Sequence, residues 1–147
     1  MNRATPQMRS IARRLLDAEI HNPVEAGSTA AFPAADKLRP HLAALMGGGG
    51  VHALFARSLA LAGAELPWLQ AASVNQVGAF EGLNALAADR PRQEYFEGLT
   101  ILLAQTLGLL VAFIGPSLTS RLVGEVWPQI PSAERDFGKE DDREKAR

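Results

Sequence analysis

"TILLAQTLGLLVAFIG", Thr100 to Gly115, is the most apolar stretch of the chain, and the uncharged run around it extends from Gly98 to Ser120. Its reading decides the fold: it is either a membrane-crossing helix or the central helix of a water-soluble bundle. A membrane span needs about 20 largely apolar residues. Here the apolar helix covers sixteen, Leu99 to Ile114, and stops at Gly115-Pro116. Glycine takes the left-handed cap conformation there, and proline cannot continue a helix. Thr100, Gln105 and Thr106 interrupt the run, and Gly108 lowers its helix propensity. Arg90, Arg92, Glu94 and Glu97 flank one end and Arg121 and Glu125 the other, with no strong positive-inside bias. The reading is a buried helix over about 92–114. The threonines then bond back to their own helix, and Gln105 requires a neighbour or a buried water.

The remaining segments support this, because amphipathic helices need a shared apolar partner. Thr5-Pro6 opens the first: threonine caps a backbone N–H, and proline at the first helical position loses only an N–H that has no partner anyway. Met8, Ile11, Leu15 and Ala18 form its apolar stripe, Arg13 and Asp17 are spaced to pair, and Asn22-Pro23 ends it near His21. Residues 22–32 read as a loop. A second helix is expected over 33–46, kinked or split by Pro40, and ended by the glycines at 47–50. The third, 51–66, buries Val51, Leu54, Phe55, Leu59 and Ala62 and stops at Pro67. Trp68 and Leu69 tuck back toward the core, and 74–80 holds a short extended piece. A short helix follows over 81–88, with Leu83, Leu86 and Ala87 inward. Beyond the central helix, Leu118, Leu122, Val123, Val126 and Trp127 line a sixth, with Ser117 and Thr119 as its caps. The expected fold is therefore all-α, a five- to six-helix bundle around the central helix.

One domain over 1–132 and a charged tail over 133–147 complete the organisation. "ERDFGKEDDREKAR" has eleven charged residues in fourteen, too little apolar surface to offset ordering entropy, so the tail reads as disordered. Without cysteine the chain has neither disulfides nor thiolate ligands. A net charge of −1 argues against bulk nucleic acid as a partner. The N-terminus lacks the continuous apolar region of a secretory signal, so a cytoplasmic location is the default expectation.

No catalytic, metal or cofactor constellation emerges. His21, His41 and His52 lack the i,i+4 spacing of a helical metal site, although His41 and His52 could approach across the glycine loop. "GGGGVHALFAR" offers backbone N–H groups to an anion, with His52 and Arg57 as helpers, yet lacks the Lys-Ser/Thr pair of a phosphate loop; the plain turn is preferred. Glu94 and Glu97, or Glu65 and Glu81, read as solvated faces. Arg9, Arg13 and Arg14 form the only basic cluster, read as a solvated helix face or a partner face. Small residues Ala104, Gly108, Ala112 and Gly115 would let a helix approach closely, within the chain or from a second copy.

The expected function is a non-enzymatic helical binding or scaffold protein acting through protein–protein contacts, self-association as a homodimer included. Its partner face is expected at Arg9, Arg13, Arg14, Leu118, Leu122 and Trp127. The alternative is a small-molecule sensor or carrier, with an apolar ligand in a pocket beside the central helix walled by Trp68, Gln105, Phe113 and Trp127.

Overall fold

Thr5 starts the first helix as its chemistry requires: its hydroxyl accepts the Met8 N–H at 3.1 Å. Helix α1, Pro6–His21, turns Met8, Ile11, Ala12, Leu15 and Leu16 inward. The computed structural model describes residues 5–21, 32–131 and 137. The loop expected over 22–32 falls outside these residues except for Phe32, as do the His21 side chain and all of the tail but Phe137.

Helix α2, Pro33–Glu65, joins what the sequence suggested as two helices. Its one non-helical residue is Gly47, at φ 75° and ψ 168°. That left-handed φ is open to glycine at little cost. The glycine run therefore breaks the rod at its first residue, and Gly48–50 already belong to the following turns. Pro40 does not split it, contrary to expectation: the dihedrals there stay helical. Pro40 is exposed. Solvent can therefore take the carbonyl that the missing N–H leaves unpaired. Past the break, Val51, Leu54, Phe55, Leu59 and Ala62 are all buried, as their spacing predicts.

A 3-10 helix, Pro67–Ala71, seats Leu69 in the core, as expected, and leaves Trp68 half-buried. Strands β1 (Ser73–Val74) and β2 (Phe80–Glu81) then pair antiparallel, Ser73 with Glu81 and Val74 with Phe80. Asn75 builds the intervening turn, its Oδ1 accepting the Val77 and Ala79 N–H groups at 3.0 Å each. The Phe80 ring packs between Phe32 and Phe55, with centroids 5.5 and 5.1 Å away. Helix α3, Leu83–Ala88, buries Leu83 and Leu86.

Helix α4, Arg92–Ile114, is the centre of the bundle and packs against α1, both halves' common helix α2, α3 and α5 (Pro116–Val126). Every residue from Gly98 to Leu107 is buried. Thr100 and Thr106 donate back to the Phe96 and Leu102 carbonyls at 2.9 and 3.0 Å. By length and composition α4 could cross a membrane, yet 61% of its most apolar window lies inside the protein. The fold is all-α with five helices among the described residues, or six rods if α2 is divided at Gly47.

Two expectations are corrected here. Burial of α4 is one-sided beyond Gly108: Leu110 is buried, Leu109, Val111 and Ile114 are half-buried, and Ala112 and Phe113 are exposed. Among the described residues no atom lies near the Cβ positions of Gly108 and Gly115, so no described helix approaches α4 closely at those two glycines. Phe137, assigned to the tail, is 2% exposed and joins the core.

Candidate functional site

Two buried carboxylates hold α1 to the rest of the bundle. Glu65, at the end of α2, has a side chain 7% exposed; it meets the Arg9 guanidinium at 2.6 Å and accepts the Gln105 amide at 2.7 Å. Glu19, near the other end of α1, has a side chain 8% exposed and takes the Lys37 ammonium at 2.6 Å and the Trp127 indole N–H at 2.7 Å. Each carboxylate satisfies donors from two other elements, which is the condition for burying charge without a large penalty. Glu65 is thus a structural anion rather than part of a solvated face. Arg9 is diverted from the basic cluster, leaving Arg13 exposed and without the expected Asp17 pair.

The residues expected to wall an apolar pocket stand in separate places. Gln105 is committed to Glu65. Trp127 is fully buried and bonded to Glu19. Trp68 lies under the Arg90 guanidinium, 4.2 Å from its ring centroid, and its far edge covers Gly98. Phe113 is 74% exposed. Of the expected partner face, Leu122 and Trp127 are interior, and only Leu118 adds apolar surface. Thr119 does not cap α5: its hydroxyl donates to the Gly115 carbonyl at 2.8 Å from inside the core, and Pro116 opens the helix.

His41 and His52 stay apart as well. His52 bonds the Asn75 carbonyl through Nδ1 at 2.7 Å and borders a shallow cleft with Gln70 and Val74. His41 contacts the Lys37 carbonyl through Nδ1 at 3.3 Å and borders a different groove. No group of three potential metal ligands occurs among the described residues. Among the described residues Tyr95 is the one ionisable group driven well away from its usual range, with burial pushing its hydroxyl up to about 12.

The groove at His41 combines apolar lining with a charged rim. It runs between the first half of α2 and α5, with Ala44, Leu45, Leu118 and Leu122 as apolar lining and His41, Arg121 and Glu125 as polar rim. Leu45 is 50% and Leu118 36% exposed. Phe113 precedes the Gly115-Pro116 turn as Leu118 follows it, which places its ring at the same end of the bundle. Among the described residues only Val77, on the hairpin, is a further exposed large hydrophobic. Leu118 belongs to the expected partner face, but periodicity alone does not separate it or Phe113 from the core, because each continues the apolar spacing of its helix. No known protein family, curated protein or solved structure matches the chain.

Proposed function

We propose that this is a non-enzymatic helical binding protein acting through protein–protein contacts, made by the end of the bundle where α2, α4 and α5 meet. The observation that carries the reading is the exposure of Leu45, Phe113 and Leu118 at one end of a chain whose other large apolar side chains, Val77 apart, are interior or half-buried among the described residues. An aromatic and two leucines bordered by charged groups have the make-up of an interface centre with a polar rim. Binding is favoured over catalysis because the two most buried carboxylates among the described residues are consumed in ion pairs that hold helices together.

A photo-crosslinking amino acid placed singly at 113, 118 and, as a control, at exposed Asn84 tests this in cells. Protein adducts should form from 113 and 118 and not from 84. Adducts to lipid alone, with the chain floating on vesicles, would refute the reading and assign this end to a membrane surface.

A further inference from the structure

Resting on that reading, we propose that the partner is a second copy of this chain, docked with the two α5 helices antiparallel about a two-fold axis that passes between Arg121 and Glu125. Both residues are exposed on α5, one turn apart, and both border the groove. Neither has an ion-pair partner among the described residues. Their order, basic before acidic, is the weaker one for a pair within a helix. A 180° rotation about the axis places Arg121 against Glu125 of the second copy, and the reverse contact forms by symmetry. The charge pattern is therefore complementary to itself, a property that a surface for an unrelated partner does not need.

Gly124 lies between the two charges and has no side chain to hold the helices apart. Leu118, one turn before Arg121 and 36% exposed, puts apolar surface beside the charged centre, and the two-fold axis repeats it at the other end. The formal net charge of −1 leaves little repulsion between copies.

Sedimentation equilibrium of the full chain and three surface variants tests the pairing. Arg121→Glu sets Glu against Glu, and Glu125→Arg sets Arg against Arg, twice in each dimer. Each variant should weaken association by roughly tenfold or more, since two facing contacts change sign. Mixing these two variants in equal amounts should restore the dimer as a heterodimer, and the double charge swap should restore it as a homodimer. A wild-type chain that is monomeric throughout, or a dimer indifferent to these charges, would overturn the proposal. The crosslinking experiment separates the two levels: adducts from 118 to other proteins on a monomeric chain reject self-pairing and leave the binding function standing, whereas no protein adduct rejects both.

Discussion

The same substitution at two glycines of α4 should shift stability in opposite directions. At Gly98, an added Cβ would lie 2.4 Å from Cη2 and 2.6 Å from Cζ2 of Trp68. Ordinary contact begins near 3.4 Å, so the ring must retreat by roughly 1 Å. It cannot do so freely, because the Arg90 guanidinium stacks on its face and the Tyr95 ring lies 6.4 Å away. Overpacking of this kind costs about 1–3 kcal/mol, against a helix-propensity gain of about 1 kcal/mol for Gly→Ala. The steric term wins, and Gly98→Ala should lose about 1 kcal/mol net. At Gly108 nothing lies within 4 Å of the Cβ position, so the propensity term acts alone. Gly108→Ala should gain about 0.5–1 kcal/mol and raise Tm by about 2–3 °C. Urea and thermal unfolding of both variants decide the matter. Trp68→Leu/Gly98→Ala supplies the control, because without the indole the Gly98→Ala step should become neutral or stabilising. If Gly98→Ala stabilises as much as Gly108→Ala in the otherwise unchanged chain, the indole does not cover Gly98 and the packing argument fails.

Three further outcomes follow from the interior. Phe137→Ala should cost about 3 kcal/mol through loss of a buried ring, measured by urea unfolding; a change under about 1 kcal/mol would return Phe137 to the tail. Glu19→Ala strands the Lys37 ammonium and the Trp127 indole N–H and should cost about 3 kcal/mol, with a red shift of tryptophan emission if water reaches the ring. Tyr95 is the chain's only tyrosine, so its phenolate can be followed at 295 nm, and in the folded protein it should form near pH 12. The folded state then holds a proton that the unfolded state releases near pH 10, so stability should fall as pH rises from 10 through 12. A folded-state midpoint near 10 would contradict the burial of this hydroxyl.

What the sequence reveals about the fold is what local chemistry controls. The end of α4 follows from Gly115-Pro116, and it agrees with the observed last residue, Ile114. The threonine cap of α1 and the stripes of α1 and α2 are likewise local. Two kinds of feature escape such reasoning. One is long-range contact: nothing near Gly98 announces that Trp68, thirty residues earlier, will cover it. The other is burial of charge, since a search for apolar periodicity passes over carboxylates. Yet a signal was present. Glu19 follows Leu15 and Leu16 at helical spacing, and Glu65 follows Ala62 and Ser58, so both carboxylates stand on stripes that are otherwise interior. A carboxylate on an apolar stripe must find donors or disrupt the packing. Arg9, one turn before Ala12 on α1, answers Glu65, while Lys37 on α2 and the indole beyond α5 answer Glu19. The reverse anomaly marks the proposed interface. Leu118 and Phe113 keep the apolar pattern of their helices but are left exposed among the described residues. A charge inside must be answered by its own chain, whereas an apolar group outside can be answered by another molecule, which is why the first kind of exception explains stability here and the second points to function.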